Sequence, residues 1–296
     1  MRLEHLPIEP CGQGNLPFEA YRRNVTSQDG EDGILARILE LIGTTNKTCI
    51  EFGAADGKKF SNTWSLIRDC DWDGILIEGR ESSFRELDRS YAGLSRVKLF
   101  NRYVDLAANS LDRILKEAEC PAEPDLLSID VDGLDWHIWQ SLKEFRPRLV
   151  LIEFNPTIPN DVIYVPDPGT YQGCSLLALV ELGREKGYEL AAATDWNAFF
   201  VRRELLPLLQ IPDNSIGAIH PVGRYETKVF QLYDGSLQLV GNDRLMWSEG
   251  KITVHVRRSW RTRWKRLIRA IKSLPGLRQI RHYRHRRRAE RQAAKG

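Results

Sequence analysis

Cys49-Ile50-Glu51-Phe52-Gly53-Ala54-Ala55-Asp56-Gly57 begins as a short apolar run and ends in small residues. The pattern predicts a strand that runs into a glycine turn and then a helix, with backbone N–H groups facing open space. Gly53 and Gly57 let the backbone approach a ligand where a Cβ would intrude. Glu51 places a carboxylate at the carboxyl end of the strand, the edge at which open α/β sheets bind ligands. The stretch therefore predicts a pocket for a nucleotide-like cofactor. Taken alone it also fits an ordinary strand-to-helix turn, because glycine-rich turns are common.

Outward from this stretch the chain alternates. Residues 48–52, 74–78, 97–104, 125–130, 148–153, 188–192 and 197–201 read as strands. Residues 62–68, 83–91, 111–119, 136–145 and 176–186 read as helices between them. Short apolar strands alternating with amphipathic helices predict an α/β fold of about seven mainly parallel strands with helices on both faces. Ahead of the first strand, Ser27-Gln28-Asp29-Gly30-Glu31-Asp32-Gly33 leads into Ile34, Leu35, Ile38, Leu39 and Ile42 at helical spacing. The acids favour a helix N-terminus and Gly43 ends the helix, so this segment reads mainly as a capped packing helix.

The same edge of the sheet carries an acid at strand after strand: Glu51, Glu78, Asp130 and Glu153 close the first, second, fourth and fifth strands, and Asp105 follows the third. Packing does not require this. Clustered carboxylates are costly without a partner, so the repetition marks a ligand crevice.

Composition narrows the class. The 296 residues are 42% hydrophobic and 28% charged, as in a globular protein with a sizeable core. The five cysteines, Cys11, Cys49, Cys70, Cys120 and Cys174, are scattered without metal-ligand spacing, which predicts reduced thiols in the cytoplasm. No signal-peptide core and no run near ~20 apolar residues is present. The net charge of +3 hides a division: residues 257–296 hold 16 Lys and Arg against Glu290, leaving 27 basic and 39 acidic residues in 1–256. The chain reads as an irregular leader over 1–24, an α/β domain over 25–203, a C-terminal extension over 204–256 with a hairpin turning at Asp234-Gly235, and a basic tail over 257–296.

With these pieces in place the chain resembles the FkbM-like family of class I S-adenosylmethionine-dependent methyltransferases. The resemblance rests on 27–33, on Glu51-x-Gly53-x-x-x-Gly57 with Glu78, on Leu127-Ser128-Ile129-Asp130-Val131-Asp132-Gly133-x-Asp135, on Ile152-Glu153-Phe154-Asn155-Pro156, on Gln172-Gly173-x-Ser175 and on Gly187-Tyr188. It covers roughly residues 25–202. A dinucleotide fingerprint would need a glycine where Glu51 stands. The resemblance implies a Rossmann-like methyltransferase sheet with S-adenosylmethionine as cofactor. Glu51, Gly53, Ala54 and Gly57 would lie along its methionine and ribose, Glu78 on the ribose hydroxyls, Asp105 near the adenine amine, and Asp130 facing the methionyl ammonium or the acceptor.

Methyl transfer to a hydroxyl needs in-line positioning and a base or metal to lower the acceptor's pKa. Two devices are open. Asp130, Asp132, Glu153 and Asn155, with Asp135 nearby, would offer oxygen ligands to Mg²⁺; alternatively His137 would act as a general base. The fourth strand lacks the Asn/Asp-Pro-Pro-aromatic motif of adenine amino-methyltransferases, which favours O-methylation. The expected acceptor is a small molecule or a sugar hydroxyl of a glycan or lipid-linked precursor. The rival is a non-catalytic binding or regulatory protein on the same fold. Trp136, Trp139, Trp196 and Phe199 offer rings for stacking, though core packing suits most of them.

In the tail, Trp260, Trp264, Leu267, Ile268, Ile271 and Leu274 recur at helical spacing among Arg258, Arg261, Arg263, Lys265, Arg266, Arg269 and Lys272. A cationic helix with one apolar face suits an anionic membrane surface, so residues 257–288 predict peripheral attachment at the inner face of the membrane. Nucleic acid, or docking on the chain's own acidic body, are the alternatives, and the apolar stripe weighs against nucleic acid.

Overall fold

The computed structural model describes residues 3–6, 16–221, 225–234, 236–244 and 250–252. The basic tail, most of the N-terminal leader and Gly235 of the predicted hairpin turn lie outside the described residues. By contacts the chain divides into a large unit, His5–Phe230 with Gln238–Asp243, and a second unit made of Met1–Glu4, Gln231–Leu237 and Arg244–Gly296.

The large unit holds a seven-stranded sheet. Its strands are β1 (Thr48–Phe52), β2 (Asp73–Ile77), β3 (Val97–Phe100), β4 (Leu126–Ile129), β5 (Leu149–Glu153), β6 (Tyr188–Ala193) and β7 (Asn197–Arg202). The order is β3-β2-β1-β4-β5-β7-β6. Strands β1 to β5 pair in parallel, and β7 runs antiparallel between β5 and β6. The helices are α1 (Glu31–Ile42), α2 (Trp64–Asp69), α3 (Glu81–Tyr91), α4 (Leu111–Glu117), α5 (Asp135–Ser141), α6 (Leu176–Glu185) and α7 (Ile216–Ile219). This is the mainly parallel seven-stranded sheet with helices on both faces that the alternation predicts.

Strand alternation sorts the side chains between two cores. On one face Ile50, Phe52, Ile77, Leu127, Ile129, Val150 and Ile152 pack with Leu111, Ile114, Ile138, Trp139, Leu176 and Leu179 of α4, α5 and α6. On the other, Cys49, Leu76, Leu126, Leu149 and Leu151 pack with Ile34, Leu35, Ile38, Ile67, Leu87 and Tyr91 of α1, α2 and α3. Each fully buried Leu or Ile contributes roughly 1.5–3 kcal/mol. Trp139 and Phe199 are fully buried, so neither ring is available for stacking on a ligand. Trp136 donates its indole N–H to the Ala178 carbonyl, and Trp196 packs on Tyr225.

Beyond Arg203 the chain stays with the same cores: Leu209 is buried in one and Ile219 of α7 in the other. Strands β8 (Thr227–Gln231) and β9 (Leu237–Gly241) pair on either side of Asp234.

Register fixes the site. Phe52 pairs with Ile77 on one side and Ile129 on the other, and Ile129 pairs with Ile152. The next residue on each strand, Gly53, Glu78, Asp130 and Glu153, therefore falls in one row along the carboxyl edge.

Candidate active site

A cleft of about 470 Å³ opens along that row. Its floor is the Glu51–Ala55 turn. Gly53 N–H and Ala54 N–H donate to the Ile77 carbonyl, Ala55 N–H to Glu78 Oε2 at 2.8 Å, and Gly57 N–H to the Ala54 carbonyl. The Lys58 and Lys59 N–H groups both go to Asp56 Oδ1. The expectation of free N–H groups at this turn is thus corrected for Gly53, Ala54, Ala55, Gly57, Lys58 and Lys59, whose N–H groups are spent within the protein.

The glycines are also explained differently from the expectation. A Cβ on Gly53, whose φ is 76°, would lie 1.7 Å from the Asp130 carbonyl oxygen, so the close approach is between strands β1 and β4. A Cβ on Gly57 would meet Leu87 and Tyr91 of α3. Gly57 does not line the cleft, and its place is against a helix, not a cofactor.

Glu78 is buried at the rim, with Oε2 held by Ala55 N–H and Oε1 by Arg80 N–H at 2.6 Å. Both oxygens keep a lone pair for a further donor. Glu51 is buried too. Ser61 and Thr63 hydroxyls donate to its Oε2 and the Asn62 N–H to its Oε1, each at 2.7 Å. Burial pushes its carboxyl up against these bonds. Glu51 lines the cleft, but its bonds tie β1 to the start of α2.

At the far end Asp130, Asp132 and Glu153 bring carboxylate oxygens within 4.8 Å of one another. Burial first, and then the charges of neighbouring acids, push both Asp130 and Glu153 upward. Asp132 stands at φ 54°, a left-handed conformation uncommon outside glycine. The turn is held from below by Asp135, which accepts Val131 N–H on Oδ1 and Gly133 N–H on Oδ2, each at 2.9 Å. Asp135 is buried under the turn as a cap and does not join the cluster. A Cβ on Gly133 would lie 2.4 Å from the Thr170 carbonyl oxygen, so the loop from β5 to α6 seats directly on the turn. On that loop Tyr171 is exposed beside Asp132, whose charge pushes the phenol up.

Three expected site residues lie elsewhere. Asp105 accepts Ala107 N–H and Asn109 N–H and does not line the cleft; the β3 end sends Arg102, Tyr103 and Val104 there instead. Asn155 spends its Oδ1 on the Thr157 N–H and hydroxyl, which removes that oxygen from the carboxylate cluster. His137 donates from Nε2 to the Pro166 carbonyl at 2.8 Å, stands edge-on to Trp136, and is outside the cleft. The Pro166 bond and its place outside the cleft lining correct its expected role as base.

The cleft also takes in Gln28, Lys59, Phe60, Ser83 and Tyr103, which the strand-end pattern does not reveal. Ser83 arrives from α3 and the others from loops. Phe60 carried one local signal only in retrospect of its backbone: its φ is 64°, a strained conformation for a bulky residue, and it is half exposed.

No family model matches the chain, and no curated protein matches it. Solved structures overlap it loosely. The N-terminal domain of EvdMO1 with S-adenosylhomocysteine bound is 17% identical over 60% of this chain and 81% of its own, with a TM-score of 0.39. A putative O-methyltransferase from Klebsiella pneumoniae is 18% identical over 63% of this chain and 86% of its own, at 0.39. The mitomycin 7-O-methyltransferase MmcR is 16% identical over 58% and 52%, at 0.34. Overlaps of this extent carry no functional information, so the chemistry has to come from the cleft itself.

Proposed function

We propose that the protein is an S-adenosylmethionine-dependent O-methyltransferase acting on a sugar hydroxyl of a glycan or lipid-linked precursor. The observation that carries the cofactor assignment is the polarity of the cleft. The N–H groups of Gly53, Ala54, Ala55 and Gly57 are spent within the protein, and five acids, Glu51, Glu78, Asp130, Asp132 and Glu153, line the cleft against three cations, Lys59, Arg80 and Arg102. The excess of acids suits a nucleoside that carries positive charge. S-adenosylmethionine has a ribose diol for Glu78 and a sulfonium and an ammonium for the acids around Asp130.

Transfer would place an acceptor hydroxyl in line with the sulfonium methyl group. The hydroxyl oxygen donates a pair to the methyl carbon, the carbon–sulfur bond breaks with its pair left on sulfur, and the hydroxyl proton leaves to a carboxylate or to water. The sulfonium charge disappears as the ether forms. Asp130, Asp132 and Glu153 are a hard oxygen set of the kind that suits Mg²⁺. Bound there, the ion would lower the pKa of the acceptor hydroxyl. The three side chains themselves hold the acceptor end of the cleft polar, and Tyr171 would border the acceptor at its rim.

The tail reading from sequence, an amphipathic basic helix on an anionic membrane surface at the cytoplasmic face, belongs to the same proposal, because it would bring the enzyme to a lipid-linked acceptor. Among the described residues no helix is long and apolar enough to cross a membrane. The test of the activity is transfer of a labelled methyl group to a panel of glycosides, with added Mg²⁺ and with chelator. Labelled ether product that falls on chelation is expected. Turnover confined to amine acceptors, or no transfer to any hydroxyl, would overturn the proposal.

A further inference from the structure

The segment Asn24–Asp32 is built far more tightly than a helix lead-in requires. Asp32 Oδ2 accepts three successive backbone N–H groups, Val25, Thr26 and Ser27, at 2.8, 2.9 and 2.9 Å, while Oδ1 accepts the Ser65 hydroxyl. Asn24 Oδ1 accepts the Ser27 hydroxyl and Gly30 N–H, and its amide donates to the Gln28 carbonyl. The Thr26 hydroxyl donates to the Ser61 carbonyl. Asp29 accepts Asp195 N–H and Arg22. Glu31 accepts Thr194 and Asn197, which stand at the turn between β6 and β7.

Every polar side chain from Asn24 to Asp32 is therefore committed to the protein, with one exception. Gln28 makes no side-chain hydrogen bond among the described residues, is exposed, and lines the cleft. Its backbone carbonyl is fixed, so its position is set by the network and its carboxamide is left over. The anchors locate it. Ser61 follows the glycine turn, and Asn197 pairs with Glu153. Gln28 thus stands on the side of the cleft that runs from the glycine turn towards the carboxylate cluster, away from the Glu78 rim.

We propose that Gln28 binds the amino-acid end of the cofactor, donating from its amide N–H to the α-carboxylate and accepting from the α-ammonium on its carbonyl oxygen. A carboxamide is neutral and carries its donor and its acceptor on separate atoms, so it can do both at once. The network holds it in place before the ligand arrives, which spares the ordering cost of a mobile glutamine. This assignment rests on S-adenosylmethionine being the ligand.

Calorimetric titration of wild type and Gln28→Ala with S-adenosylhomocysteine and with 5′-methylthioadenosine, which lacks the amino-acid end, separates the cases. We expect Gln28→Ala to weaken S-adenosylhomocysteine roughly ten-fold or more, the size of hydrogen bonds to charged groups, and to leave methylthioadenosine unchanged. Gln28→Glu should lose more, by repelling the carboxylate. Equal losses for both ligands, or no loss for either, would overturn the assignment while leaving the cofactor reading intact. Failure of wild type to bind S-adenosylhomocysteine would overturn both. Because the Gln28 side chain makes no hydrogen bond among the described residues, unchanged thermal melting of the variants is expected.

Discussion

Single residues divide into those a strand pattern can place and those it cannot. Glu78, Asp130 and Glu153 were legible because parallel register carries one position on each strand to a common edge. Asp105 and His137 sit at the right distance along the chain, yet their hydrogen bonds, to the 107–109 backbone and to Pro166, turn them elsewhere. Side-chain direction at a loop or a short helix is set by such partners, and spacing does not encode them. Gly53 was identified for its size, but the reason lies in the Asp130 carbonyl. Gly53→Val should therefore cost stability as well as binding, through a left-handed φ and a backbone clash, on the order of 3 kcal/mol or more in urea denaturation. A variant as stable as wild type would contradict the contact. Asp130→Asn should weaken Mg²⁺ binding at the cluster at least ten-fold by titration calorimetry, and it should not lower thermal stability in the absence of the ion, because it relieves like-charge repulsion.

At the scale of elements, the seven strands and the helices between them follow from apolar runs and their periods, and their predicted ends shift by only a few residues. The 97–104 strand shortens to Val97–Phe100, since Asn101 onward turns into the cleft rim. The segment 24–33 was read chiefly as a capped helix start, and α1 does begin at Glu31. Its second role was hidden because the partners, Ser61, Ser65, Thr194 and Asn197, are distant in sequence. Asp32→Ala should orphan three N–H groups and cost about 2–4 kcal/mol, read by chemical denaturation; a loss under half a kcal/mol would contradict that network. The loop after β5 is pinned from the other side by α7: Asn160 donates to the His220 carbonyl at 2.6 Å, and the His220 ring stands edge-on to Phe154. Burial, aided by Arg22 and opposed by Glu226, lowers the His220 pKa to about 4. Folding thus disfavours its proton. Stability from this group is complete above its unfolded pKa near ~6.5 and is lost as pH falls towards 4, by on the order of 3 kcal/mol. His220→Gln should flatten that part of the profile in denaturation at pH 7 and pH 4.5; an unchanged slope would contradict it.

Over the whole molecule, charge is divided between residues 1–256, with 27 basic and 39 acidic side chains, and a tail with 16 basic residues and one acid. We predict that a chain ending at residue 256 loses sedimentation with phosphatidylglycerol vesicles while the full chain retains it; equal sedimentation, or binding of the full chain to RNA but not to vesicles, would remove the membrane role. The cleft does not depend on that outcome. Its central property is a site with more acids than cations in its lining, with Glu78 at one end and the Asp130 cluster at the other. Titration of S-adenosylhomocysteine into wild type and Glu78→Ala tests this most directly. The structure predicts saturable binding of one ligand per chain that Glu78→Ala weakens at least a hundred-fold, as two or more lost charge-assisted hydrogen bonds would. No binding to wild type, or the same affinity in a folded Glu78→Ala protein, would contradict it.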